Sequence, residues 1–142
     1  MVFVDYNNLY RCYITKKQVN KIVVQASKKE KKIKGGVEIN IIDNKIMKKM
    51  NREYRGINNT TDVLSFAWQE DKIFKTDFLG QIYISYPQIK KQAKENGITI
   101  KEEFVRMIVH GLLHLVGHDH MKKNEAKRMF DLQESLVNKI DV

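Results

Sequence analysis

Cysteine, proline and histidine are all scarce in this 142-residue chain, and each scarcity narrows the reading. A single cysteine, Cys12, excludes an internal disulfide and reads as a small core or surface residue without a function of its own. A single proline, Pro87, leaves no proline-rich linker, and neither repeats nor low-complexity tracts divide the chain. No uninterrupted apolar run reaches the length of a membrane span. The opening stretch MVFVDYNNLY lacks a basic region and meets Asp5 almost at once, so it does not read as a secretory signal. The expectation is one soluble, cytoplasmic domain over residues 1–142, long enough to bury its own core. Acidic residues are the minority charge, 17 against 26 basic ones, leaving +9. The excess gathers in KKEKKIK at 28–34, in KKMNREYR at 48–55, and in the pairs at 16–17, 90–91 and 122–123. Such clusters read either as solvated helix faces or as the footprint of a polyanion, most simply nucleic acid.

The segment VFVDY reads as a short strand. The following helix, ITKKQVNKIVVQASKKE, has Thr15 and Gln18 at capping-box spacing. Val19, Ile22, Val23 and Ala26 form one stripe on it, and Gly35–Gly36 breaks it. VEINIID alternates as a strand with Val37, Ile39 and Ile41 on one face. Asp43 or Asn44 caps a helix running through Ile46, Met47, Met50 and Tyr54, which a loop at Gly56 follows. DVLSFAW and LGQIYIS are predicted to be neighbouring strands. PQIKKQAKENG is a helix with proline suited to its first turn and glycine at its end. TIKEEFVRMIVHGLLHLVG is another, with Thr99 and Glu102 as a second capping box and Gly117 as its stop. Ala126, Met129, Phe130, Gln133, Leu136, Val137 and Ile140 give the last helix its stripe. Four strands interleaved with about five helices predict an α+β fold, a small mixed sheet packed on helices.

All four histidines fall within eleven residues, HGLLHLVGHDH at 110–120. On a helix turning about 100° per residue, Phe104, Val105, Ile108, Leu112, Leu115 and Val116 cover one broad side. His110 and His114 sit together on the opposite side, one turn apart. The helix is therefore predicted to be central, with its histidines lining a cleft. After Gly117 turns the chain, His120 can fold back to the pair; His118 is the alternative third ligand. Asp119 could instead accept a ligand imidazole's free N–H. Converging neutral imidazoles suit Zn²⁺, and three protein ligands leave one position open, the layout of a catalytic site. A zinc protease would carry glutamate after the first histidine as its base; here that residue is Gly111. Peptide hydrolysis is disfavoured, and glycine inside a helix predicts close packing of a neighbouring element.

The same residues resemble a known family. HGLLHLVGHDH is similar to the H-G-x-L-H-L-x-G-Y-D-H motif of the bacterial YbeY family. NREYRGINNTTDVLSFAW resembles its YRG and VLSFP segment, and LGQIYIS its LGD strand, in matching order from about residue 37 to 138. The resemblance implies a compact α+β fold and a single-strand-specific endoribonuclease of 16S rRNA 3′-end maturation and ribosome quality control. It further implies one metal ion held by His110, His114 and His120, and an arginine important for activity at Arg55. Arg55 and His114 are thus the candidate catalytic residues. Single-stranded RNA, rRNA and possible ribosomal contacts are the expected partners. The chain departs from the pattern at His118, where tyrosine is usual, at Gln81, where aspartate is common, and at Thr60 and Ala67, where prolines are usual. Gln81 removes a carboxylate, so no general base is named there.

The physical reading of Arg55 agrees with the resemblance, since a planar guanidinium matches phosphate oxygens. Its plainer reading is a solvated cation at a helix C-terminus. Asp62 and Ser65 read as a turn cap and a core hydroxyl on a mostly buried strand, with a place facing the cleft as the alternative. Two rival functions fit the same residues: a non-catalytic RNA-binding assembly factor with a structural zinc, and a metallohydrolase acting on another substrate.

Overall fold

The computed structural model describes residues 1–68 and 77–142. Four strands, β1 (Val2–Asn8), β2 (Gly35–Ile42), β3 (Val63–Ala67) and β4 (Phe78–Ser85), form one sheet in the order β1-β2-β4-β3. β1, β2 and β4 run parallel, and β3 returns antiparallel on the edge. The helices are α1 (Lys16–Lys29), α2 (Asn44–Arg55), α3 (Tyr86–Asn96), α4 (Ile100–Leu115) and α5 (Lys123–Lys139). This is the predicted α+β fold with a mixed four-stranded sheet, and the histidine helix is α4.

Local chemistry sets most element boundaries. Thr15 and Gln18 close a reciprocal capping box at the start of α1. The Asp43 side chain accepts from the Ile46 N–H at 2.8 Å and opens α2. Gly56 and Gly97 end α2 and α3 in the left-handed conformation. Two expectations are corrected. Gly35–Gly36 do not break α1, which ends at Lys29; they open β2 and pair with Val2 and Phe3. Thr99 caps α4 by accepting from the Glu102 N–H, but no reciprocal bond forms, because the Glu102 carboxylate lies 3.6 Å from Arg106.

Alternation on the strands creates two unequal faces. Val37, Ile39, Ile41, Ile82 and Ile84 point into the main core with the α1 stripe, α3, α4 and α5. Ile42 and Leu64 point the other way, to a smaller cluster with Met47 of α2, joined by Met50, Phe66 and Tyr83. The helix α4 is apolar nearly all round and lies buried in the main core, as a helix without a polar face must. β3 is not the mostly buried strand predicted: only Leu64 is buried on it, because its position at the sheet edge leaves one side open.

Candidate metal centre

The last two turns of α4 position the site. His110 and His114 project from one side, and their Nε2 atoms lie 3.2 Å apart. Gly111, between them, faces the sheet. A Cβ there would fall 2.9 Å from Ile82 Cδ1 and 3.0 Å from its Cγ2, so only glycine lets α4 settle this close to β4. The chain then turns at Gly117, φ +99°, which glycine tolerates. His120 follows and swings back, its ring centroid 4.9 Å from that of His114. One ligand atom from each of His110, His114 and His120 lies within 4.8 Å of the others.

His118 and Asp119 are drawn off elsewhere. The His118 Nε2 meets Glu30 Oε2 at 3.1 Å, next to the end of α1. Asp119 Oδ1 accepts from the backbone N–H groups of His120 at 2.7 Å and Met121 at 3.2 Å, which tightens the turn. It lies 3.7 Å from His120 Nδ1, beyond hydrogen-bonding distance, so the alternative role of accepting that imidazole's N–H is not taken up.

Support comes instead from α5. Gln133 Oε1 lies 2.7 Å from His110 Nδ1. The amide's orientation follows from its other end, where Nε2 donates to Glu134 Oε2 at 3.1 Å. Glu134 is in turn held by Arg106 through Nε and a terminal nitrogen, at 3.0 and 2.8 Å. With Oε1 facing the ring, His110 carries its proton on Nδ1 and turns the Nε2 lone pair toward His114. Gln133 was legible only as a member of the α5 stripe. The available signal was a polar side chain, now 4% exposed, at an apolar position. Phe130, one turn back, lies nearly parallel to the His110 ring at 6.2 Å and walls the site on the α5 side.

Burial, reinforced by the neighbouring imidazoles, lowers the His114 pKa to about 4. Burial also lowers that of His110, opposed by the bond to Gln133. Both rings are neutral at pH 7, the form that binds metal. Bonds of 2.0–2.1 Å to a tetrahedral ion separate adjacent ligand nitrogens by ~3.3 Å, which the His110 and His114 Nε2 atoms match, and His120 completes a trio of donors within 4.8 Å.

The trio faces a cleft of about 350 Å³. Its opposite rim is β3 and the segment before it: Thr61, Asp62, Val63, Ser65 and Ala67. Arg55, at the end of α2, reaches the same cleft. Asp62 fills both of its expected roles. Its Oδ1 accepts from the Val63 N–H at 2.8 Å, and the residue also lines the cleft. Ser65 is a cleft residue and not a core hydroxyl, because alternation on β3 sends Leu64 to the α2 side and Ser65 to the α4 side.

Together these features define a class: an α+β protein with a three-histidine site of metal-binding type, open to a cleft that an arginine rims. The family model described as Endoribonuclease YbeY matches residues 7–141. A protein named Endoribonuclease YbeY from Sulfurihydrogenibium sp. (strain YO3AOP1) is 45% identical over 105 residues, 73% of this chain and 69% of the relative. Another of the same name, from Acholeplasma laidlawii (strain PG-8A), is 37% identical over 139 residues, 98% of this chain and 97% of the relative. A Thermotoga maritima protein solved in solution superposes with a TM-score of 0.66 at 24% identity, covering 99% of this chain and 89% of its own, a likeness of fold. The chain belongs to the YbeY endoribonuclease family.

Proposed function

We propose that this protein is a metal-dependent, single-strand-specific endoribonuclease, that its domain spans residues 1–142, and that it acts in the cytoplasm. Its substrate would be ribosomal RNA, in maturation of the 16S 3′ end and in ribosome quality control. The observation that carries the reading is the convergence of His110, His114 and His120 on a cleft that Arg55 shares, in a chain whose relatives bear the name endoribonuclease.

In this reading the three histidines hold one Zn²⁺. Bound there, the ion would supply Lewis acidity toward a phosphoryl oxygen and would make water a better nucleophile. The side chains prepare the rest. His110 presents its Nε2 lone pair because Gln133 holds the proton on Nδ1. His114, the imidazole pushed to about 4, stays neutral at pH 7 and is the candidate catalytic histidine. Arg55 offers a planar fork to two non-bridging oxygens of the scissile phosphate, neutralising charge and fixing the phosphorus in place. The placement of His118 and Asp119 favours an enzyme over an assembly factor with a structural zinc. A closed structural site takes four protein ligands, and both candidates for a fourth are turned to other partners.

The test is cleavage of single- and double-stranded RNA by zinc-loaded protein, with and without chelator, beside Arg55→Lys. Cutting is expected on single strands only, abolished by chelator and restored by zinc. Arg55→Lys should keep its fold and metal while cutting at least tenfold more slowly, because lysine keeps the charge and loses the fork. Cleavage that persists in chelator would contradict the metal-dependent reading.

A further inference from the structure

The nuclease reading uses one side of β3, and the other side carries a second concavity. Phe66 lies between Ser65 and Ala67, both of which line the cleft, and points the opposite way, to the α2 side. There it meets Tyr54 edge-on at 5.2 Å and Tyr83 at 5.9 Å. These three rings, with Met50 and Gln81, enclose a recess of about 180 Å³. Tyr54 is 66% exposed, so one wall of the recess is an aromatic ring presented to solvent. Tyr54 is also the chain neighbour of Arg55, which reaches the cleft. Cleft and recess are therefore separated only by β3, whose outer edge pairs with no other strand among the described residues.

The surroundings specify the kind of ligand. Lys45, Lys48, Lys49, Arg52 and Arg55 are exposed along the twelve residues of α2, against Glu53 as the helix's single acid. Among the described residues, no ion pair engages any of the five. Glu38, bonded to Gln81 on the far side of the recess, repels a phosphate there and leaves the α2 side as the anion track. An open ring beside a row of unpaired cations is the pairing that single-stranded nucleic acid rewards: stacking for the base, charge for the backbone.

Building on the RNA reading above, we propose that the Tyr54–Phe66–Tyr83 recess is a stacking subsite for one unpaired nucleobase of the substrate. The strand leaves the cleft past Arg55, rounds the free edge of β3, and runs its phosphates along Arg52 and Lys48. A duplex cannot place a base there without unpairing it, so the subsite adds to selection for single strands.

The experiment is fluorescence anisotropy of zinc-loaded protein with a labelled single-stranded RNA and with an abasic strand of equal length. Wild type, Tyr54→Ala and Tyr54→Trp are compared, with thermal melts of each to confirm the fold. Tyr54→Ala is expected to weaken RNA binding about tenfold and leave the abasic strand unaffected, while Tyr54→Trp binds RNA at least as tightly as wild type. Equal RNA affinity of wild type and Tyr54→Ala overturns the subsite and leaves the nuclease reading standing. Equal losses on RNA and on the abasic strand also overturn it, because charge or folding would then explain the effect. A matching loss of binding to poly-glutamate would assign the face to acidic protein instead. No binding of wild type to any RNA strand overturns both this inference and the RNA reading.

Discussion

A single buried amide decides which nitrogen of His110 carries its proton. Gln133 sits at an apolar position of α5, and the Arg106–Glu134 pair fixes which end of its amide meets the ring. Gln133→Leu removes that acceptor. Its zinc affinity, measured by competition with a chelator, should fall about 10- to 100-fold, whereas Gln133→Glu should retain most of it. Unchanged affinity in the leucine variant would show that the ring needs no such support. Glu103 gives an independent test away from the site. It is 3% exposed, and burial raises its carboxyl pKa against the pull of Arg106. A raised folded-state pKa means that the folded chain keeps this proton longer than the unfolded one. Stability from this group is full below the unfolded value and is lost as pH rises through the folded one. The melting temperature of Glu103→Gln relative to wild type should therefore rise from pH 4 to pH 7, and a constant difference would contradict the assignment. At this scale the ligand histidines were legible because helix spacing places them. Gln133 and Glu30 were not, because their partners lie 23 and 88 residues away and only packing brings them together.

The element that matters most is α4, which carries two histidines on a helix otherwise committed to the core. Its depth against β4 depends on Gly111. Alanine there gains ~1 kcal/mol of helix propensity but drives a methyl group into Ile82, and overpacking of this kind costs ~1–3 kcal/mol. Gly111→Ala should be destabilised in urea by about 1 kcal/mol, the margin by which overpacking exceeds the gain. In an Ile82→Ala background the same change should be neutral or stabilising. A Gly111→Ala protein more stable than wild type would contradict the close approach. Caps and stripes made the helices readable in advance: Thr15, Asp43, Thr99 and Gly97 act where local chemistry alone requires them. Gly35–Gly36 and β3 were misread because a glycine pair looks the same in a loop and in a parallel strand, and edge position is a property of the sheet. Ser65 became a cleft residue because alternation turns it to the α4 side of β3, and which face meets α4 is set only by the packed sheet.

For the whole molecule, the charge of +9 is the property that acts at longest range. In the proposed function, exposed lysines and arginines would draw the RNA toward the cleft and release its counterions on contact. The log affinity for single-stranded RNA should fall linearly with log salt, with a slope of about −0.7 for each phosphate neutralised. A slope near zero between low and physiological salt would reduce the basic clusters to solvated faces. Net charge was legible from composition, and the family from the resemblance of its motifs to a known pattern. The gathering of α2, β3 and the α4 turn around one cleft became visible only with the fold. Everything proposed for function depends on three imidazoles sharing one ion while the fourth stands apart. The most direct test is elemental analysis of the purified protein and its histidine variants. The structure predicts one divalent ion per chain in wild type and in His118→Ala, and none in His110→Ala or His114→Ala. Metal retained by both helix variants, or lost from His118→Ala, would contradict it.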